Sequence, residues 1–401
     1  MQFSHPSLSR LILFHLVSVL WLLRVGAQEK PVSQKRNSDA AILSPIARLK
    51  GSGGELASFS PDGSMLLSID RSEMRIWNTK NFKPVIDAIH FTEELRIAQF
   101  TDEGRSVFTV TDKEASVWAS LTGKRTFTLP ITSKPTFPVT INAKGTQMGM
   151  TVSAHPEEVP SPCDVQLFDT ATGKLIHSLH HPESLVHISF SPDGSQLLTV
   201  EAHLHEQFLR VWDIRNAVLA FPVLHSGYDG FSMPWNDAHP AAFSPDGRLL
   251  AVSDAGFFSV YDAITGNQKF NSKPPGFDPD QSGFSGVIFS TNGKKILAIR
   301  NSGVVLWDAE TGRPSTRPLP LADVSSWSLS EDGRKLATPD GIWDLVRSAQ
   351  LFRFDHGDTR LVTLSSDGQR AATTDGDYPP GDPPRHDTLI WAIPEDKEGK
   401  I

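Results

Sequence analysis

A five-residue phrase closing on glycine recurs eight times, and it constrains the fold of this chain more than any other feature. It reads FSPDG to Gly63, FTDEG to Gly104, INAKG to Gly145 and FSPDG to Gly194. It then reads FSPDG to Gly247, FSTNG to Gly293, LSEDG to Gly333 and LSSDG to Gly368. Successive glycines are 41, 41, 49, 53, 46, 40 and 35 residues apart. After each turn a run ends in an aromatic: Trp77, Trp118, Phe168, Trp212, Tyr261, Trp307, Trp343 and Trp391. In four units the glycine-to-aromatic distance is 14 residues. Asp or Asn before Gly suits a turn that needs positive φ, which Gly adopts at little steric cost. Runs such as LLSID and MRIWN are β-branched and aromatic and read as strands. No sustained helical period lies between the repeats.

A period of roughly 40–45 residues, with a tight turn and a closing Trp, predicts four-stranded blades of an all-β propeller. A single blade cannot hide both faces of its sheet, so the blades must stack in a ring. The count predicts eight blades. Units seven and eight are the least regular, which leaves seven as the alternative. ILSPIARLKG, ahead of the first phrase, reads as a strand, whereas too little chain follows Trp391 to make one. The N-terminal segment is therefore expected to complete the C-terminal blade, closing the ring and removing sheet edges. The propeller is placed at 42–393, a flexible leader at 28–41 and a disordered tail at 394–401.

RVWDIRN (Arg210 to Asn216) and VLWDAETG (Val305 to Gly312) carry a Trp-Asp pair. Arg75–Trp77 and Ser116–Trp118 carry the Trp alone. On these residues the chain resembles the WD-repeat family, propellers of the G-protein β-subunit type, over 42–393. The resemblance assigns Trp77, Trp118, Trp212, Trp307, Trp343 and Trp391 to the repeat, with Gly63, Gly104, Gly194, Gly247, Gly293, Gly333 and Gly368. It also implies a His before a blade's first strand, bonded toward an Asp in its second hairpin. His90 and Asp112 fit that spacing in unit two. His180 or His181 fits the His in unit four, with Glu206 in place of the Asp. Most other units lack the pair.

Residues 1–27 differ from the rest. Arg10 precedes an apolar run from Leu11 to Leu23, and Val25 and Ala27 suit cleavage before Gln28, so the segment reads as a secretory signal peptide. The run is too short to span a bilayer, so no integral span is expected once the signal is removed; an uncleaved anchor is the alternative. The signal holds two Arg and no acid, so a net charge of −8 becomes −10 without it. Such a chain is poorly suited to nucleic acid or anionic membranes. Cys163 is the one cysteine, so no internal disulfide is available. It reads as incidental, with a reactive thiol or an intermolecular bridge as alternatives. An exported propeller without disulfides suits a bacterial envelope, periplasmic or extracellular.

Function in such a fold sits in its loops, because the blades are occupied with packing. Gly145 to Phe168 and Gly368 to Trp391 are each 23 residues, and Gly194 to Trp212 is 18, against the usual 14. These surpluses are expected in the hairpin between second and third strands. Trp212 to Phe243 spans 31 residues and Tyr261 to Phe289 spans 28, in connections from one blade to the next. The resemblance implies that both loop types open on one face. The candidate partner-binding rim is Tyr228, Phe231, Met233, Trp235, Asn236, Asp237 and His239, joined by His203, His205 and Phe277. Aromatics with Asn, Asp and Gly supply rigid contact area and adaptable hydrogen bonds. The alternative is that these aromatics cap the blade beneath. His203 and His205 could present two rings to a metal, but no third ligand is identifiable, so no metal or cofactor is assigned. The cluster from His177 to His187 reads as solvated or structural.

No G-x-S-x-G, H-E-x-x-H or phosphate loop occurs, and no catalytic residue is assigned. The SPDG turn differs from a sialidase Asp box. DTATGKLIH, DAITGNQKF and DAETGRPST match only the first half of a quinoprotein repeat. The sequence thus predicts an exported, non-enzymatic, monomeric scaffold that binds a protein or peptide. An exported propeller enzyme, quinoprotein-like or hydrolytic, is the alternative, and a purely structural envelope module is a third reading.

Overall fold

The computed structural model describes residues 40–50, 56–131, 138–153, 161–203, 206–227, 240–254, 257–272, 284–300, 303–319, 321, 326–355, 359–375 and 387–394. Their strands form eight antiparallel meanders, each running from an inner to an outer strand. Blade two shows the pattern: Ile97–Thr101, Ser106–Val110, Glu114–Ala119 and Arg125–Pro130 pair in chain order. The closing aromatic lies on the third strand, paired with the second strand's start, as Trp118 is with Val107.

The two faces of a blade are both apolar because the strands alternate and each side meets a neighbouring blade. Eight buried clusters result among the described residues, one for each seam. Phe108 and Val117 of blade two meet Ile141 and Met148 of blade three. Trp77 and Leu66 of blade one meet Ala372 and Ile390 of blade eight. That last cluster makes the ring closed, with eight blades rather than seven.

Closure is made by the N-terminal segment, in two steps rather than one. ILSPIARLKG contains two strands, because Pro45 cannot donate to a ladder and breaks the run. Ala47–Leu49 pairs antiparallel with Thr388–Ala392 and supplies the outer strand of blade eight. Ala41–Leu43 instead runs parallel to Ala349–Phe354, adding a fifth strand to blade seven. This second pairing was not expected.

The repeat turns form the opposite closure. Gly63 (φ +68°), Gly247 (φ +71°) and their equivalents all take the left-handed region. The open side of each repeat glycine faces the preceding blade's turn: Gly104 faces Ser60, Gly145 Thr101, Gly293 Pro245, Gly368 Ser330 and Gly63 Ser365. All eight turns therefore share one face. Backbone bonds link some of them directly, as Asp102 N to Ala143 O (2.7 Å) and Glu331 N to Ser366 O (2.8 Å).

Candidate functional site

In an antiparallel meander the second hairpin and the blade-to-blade connection leave from the strand ends opposite the first turn. The four long connections therefore attach to the face opposite the glycine turns. Two interrupt second hairpins, between Gln147–Ser153 and Cys163–Asp169 and between Arg370–Asp375 and Thr388–Ala392. In blade four the surplus expected as a loop instead lengthens Gln196–His203 and Glu206–Asp213 to eight residues each, because the two strands keep pairing as far as His203 and Glu206. Two join blades four to five and five to six. Tyr228, Phe231, Met233, Trp235, Asn236, Asp237, His239, His205 and Phe277 lie outside the described residues. His203 ends its strand opposite Glu206.

The stems of these loops are described, and polar side chains hold them. Pro240, where the blade four-to-five connection re-enters the ring, accepts from Ser253 N (2.7 Å) and Ser253 Oγ (3.1 Å). Thr151 binds Pro138 O in the same way where the shorter blade two-to-three connection enters blade three. On the far side of blade five, Ser272 Oγ accepts from Phe258 N (2.8 Å). Ser161 N donates to Ser184 Oγ (2.9 Å), and that hydroxyl returns a bond to Ser161 O (3.2 Å). Hydroxyls are suited to this because each both donates and accepts.

Beneath the rim between blades three and four lies a buried polar cluster. Trp212 Nε1 donates to Thr199 Oγ1 (3.1 Å), which lies 3.0 Å from His181 Nε2. His181 Nδ1 sits 2.9 Å from Leu179 O, so the ring donates there and accepts from Thr199. Burial, aided by the Arg210 charge, pushes the His181 pKa down to about 4, against the bond to Leu179 O. His181, not His180, is therefore the histidine of unit four. Next to it Glu201 is ion-paired with Arg210. Burial raises the Glu201 pKa, and the Arg210 bond and charge oppose that rise. Cys163 is buried, its Sγ donating to Glu183 O (3.2 Å), and desolvation pushes its thiol up to about 11.

The expected pair in unit two does not form. His90 is exposed beside Glu73 Oε2 at 3.6 Å. Asp112 instead takes both Arg96 Nε (3.0 Å) and Arg96 Nη2 (3.1 Å). Phe91 fills the histidine's place, edge-on to Trp118 with centroids 5.6 Å apart. Five repeat indoles donate to a Ser or Thr on the second strand: Trp77 to Ser68, Trp118 to Thr109, Trp212 to Thr199, Trp343 to Thr338 and Trp391 to Thr373. Sequence reading missed these acceptors, although each stands two residues after the Trp's partner in the ladder.

Two hollows were not foreseen. A cleft of about 960 Å³ opens between blades five and six on the glycine-turn face, lined by Asp246, Arg248, Ile264, Lys269, Lys294 and Glu310 among others. A cavity of about 470 Å³ lies among inner strands of blades one, two, seven and eight, against Gln99, Trp327 and Thr363. The described residues gather no group of three His, Cys, Asp or Glu side chains able to hold a metal ion. None of the described helices is long and apolar enough to cross a membrane.

No protein-family model matches the chain. It is 28% identical over 186 residues to eukaryotic translation initiation factor 3 subunit I of Lodderomyces elongisporus, covering 42% of this chain and 48% of that protein. The same subunit of Meyerozyma guilliermondii is 26% identical over 176 residues, 42% of this chain and 47% of that protein. The WD repeat and SOCS box-containing protein 1 of Xenopus tropicalis is 33% identical over 93 residues, 23% of this chain and 20% of that protein. The chain thus spans about half the length of the two initiation-factor relatives it matches. Among solved structures, the C-terminal WD40 domain of Sif2 matches with a TM-score of 0.63 at 14% identity, over 88% of this chain and 99% of that one. That likeness concerns the fold alone.

Proposed function

Because the chain is a WD-repeat β-propeller, we propose that it acts as a non-enzymatic scaffold that binds a protein or peptide on its long-loop face. The observation that carries this reading is the division of labour between the two faces. One face is made of short turns, several bonded to each other. The other carries the four long connections, three of them with stems pinned by Ser253, Ser272 and Ser184. Pinned stems limit the entropy lost when a loop engages a partner. The relatives' names are in keeping with this: one is a subunit of a larger factor, another carries a SOCS box.

The rim residues are Tyr228, Phe231, Met233 and Trp235, with Asn236, Asp237 and His239 supplying polar contacts. We place the protein outside the cytoplasm, on the strength of the apolar run from Leu11 to Leu23 and the small Ala27 that follows it. Crosslinking mass spectrometry in native extract tests the binding reading. Crosslinks should map to 228–239 and disappear in a Tyr228→Ala, Trp235→Ala variant that keeps its thermal midpoint. Undiminished capture by that variant would remove the rim from the account. Fractionation of cells expressing the chain, followed by N-terminal sequencing, tests export separately; a mature chain starting at Gln28 is expected.

A further inference from the structure

Blade six lacks a bond that every other blade with a repeat Trp makes, and its outer strand is irregular. In every other blade with a repeat Trp, the residue two beyond its ladder partner on the second strand is Ser or Thr, and the indole donates to it. In blade six Trp307 pairs with Ile296, and the residue two further on is Ala298. A methyl group accepts nothing, and Trp307 Nε1 is buried without a hydrogen-bond partner. In blades three and five the aromatic is Phe168 or Tyr261, which brings no indole to satisfy.

The second departure is the outer strand. Blade six has three strands, Phe284–Phe289, Lys295–Arg300 and Gly303–Asp308. Its fourth forms no regular ladder: isolated bridges join Val304 with Leu319 and Trp307 with Pro314, and backbone bonds run both ways between Val304 and Leu319 and from Ser315 N to Leu306 O. Pro314 and Pro318 have no N–H to give. Leu306 N accordingly finds a side-chain acceptor, Thr316 Oγ1 at 3.3 Å, in place of a carbonyl. The seam toward blade five packs Phe258, Phe289 and Ile296 with Ala251, Ala298 and Ala309, and the 960 Å³ cleft opens between the same two blades. An unmet buried donor and an irregular outer strand are features of a low-stability segment.

We propose that the outer half of blade six is a built-in opening point of the ring, where strand Gly303–Asp308 parts from its flanking segment while blades two and seven stay closed. Those two blades are the proper comparison. Each has a bonded indole and a six-residue outer strand, Arg125–Pro130 and Ala349–Phe354. The opening would widen the neighbouring cleft without unfolding the propeller.

Hydrogen exchange read by mass spectrometry tests this on the full chain, by comparing peptides covering 303–308 with those covering 114–119. Blade six should exchange faster in the wild type, and equal protection of the two would overturn the proposal. Ala298→Ser supplies the acceptor and should slow exchange at 303–308 roughly fivefold, the equivalent of one ordinary hydrogen bond, leaving 114–119 unchanged. Slowing of both regions alike, or of neither, would count against a local opening. Should that variant fold poorly, Thr109→Val moves the same defect into blade two. It should speed exchange at 114–119, and no change there would show that the indole bond does not control opening.

Discussion

Trp77 and Ser68 sit on neighbouring strands of blade one, both buried, with the indole Nε1 donating to the serine Oγ at 2.9 Å. The bond ties the third strand to the second where the blade meets blade eight. Ser68→Ala leaves the donor buried and unmet, which costs about 1–3 kcal/mol. Denaturant unfolding should register that loss. Trp77→Phe in the same chain removes the donor, so the double variant should cost less than the two single losses summed. Strict additivity would mean that the bond does nothing for stability.

Gly266 and Gly247 separate two reasons for a glycine. Both hold φ near +71°. A Cβ on Gly247 would meet Pro192 at an ordinary 3.8 Å, whereas on Gly266 it would lie 2.5 Å from Phe221. Gly247→Ala should therefore cost only the left-handed backbone strain, about 1–2 kcal/mol. Gly266→Ala adds overpacking, typically a further ~1–3 kcal/mol. Phe221→Ala should return part of that second loss when combined with Gly266→Ala, and thermal melts of the four chains decide it.

The turns, the third-strand aromatics and the eightfold count were legible because each leaves a periodic mark in the residues. The sites of the long connections followed from the same arithmetic. Other features leave no such mark. A three-residue parallel strand such as Ala41–Leu43 has no periodicity to detect, and only Pro45 hinted that ILSPIARLKG is divided. His90 and Asp112 have the right spacing, yet spacing alone cannot tell which residue the register turns inward; Phe91 wins because an aromatic buries against Trp118 at no polar cost. The serine and threonine acceptors could have been found by aligning the units on their tryptophans, which would also have exposed Ala298 as the exception.

His181 makes stability depend on pH. Its folded pKa of about 4 lies below the ordinary 6.5, chiefly through burial, so the unfolded chain holds the extra proton between those values. Stability contributed by the neutral ring is then present in full above pH ~6.5 and falls as the pH drops toward ~4, by at most about 3 kcal/mol. Unfolding free energies at intervals from pH 4.5 to 7 should show that slope. His181→Gln should be less stable at neutral pH and markedly flatter across the window. A wild-type profile flat over the same range would contradict the buried, neutral assignment.

Cys163 is 4% exposed, and its thiol is pushed up to about 11, first by desolvation and then by the charges of Glu201 and Asp164. The thiolate is the reactive form, so a buried thiol this basic is inert. An aromatic disulfide reagent should find no reactive thiol in the native protein and one in denaturant. The reducing-agent dependence of any oligomer offers a second check; none is expected. Rapid labelling of the native protein would revive the reactive-thiol alternative.

Closure of the ring rests on one short segment. Leu49 is 3% exposed and packs with Leu66, Trp77, Ala372 and Ile390, while Ile46 N donates to Ile390 O at 2.8 Å. Leu43 joins Trp391 and Leu389 on the other side of blade eight. The segment thus fills both flanks of the last blade. Leu49→Ala should cost about 2–5 kcal/mol, as core leucine truncations do. Arg48, exposed and paired with Asp387 at 3.2 Å, should matter by less than about 1 kcal/mol when changed to Ala. A chain beginning at residue 51 leaves Thr388–Ala392 as an open edge and should melt lower and aggregate. A synthetic peptide of residues 40–50 should raise its midpoint in proportion to the logarithm of peptide concentration, as a ligand that binds only the folded state does. If the shortened chain melts with the full one, closure is made elsewhere, and the two-blade clasp is an ornament on a ring that stands without it.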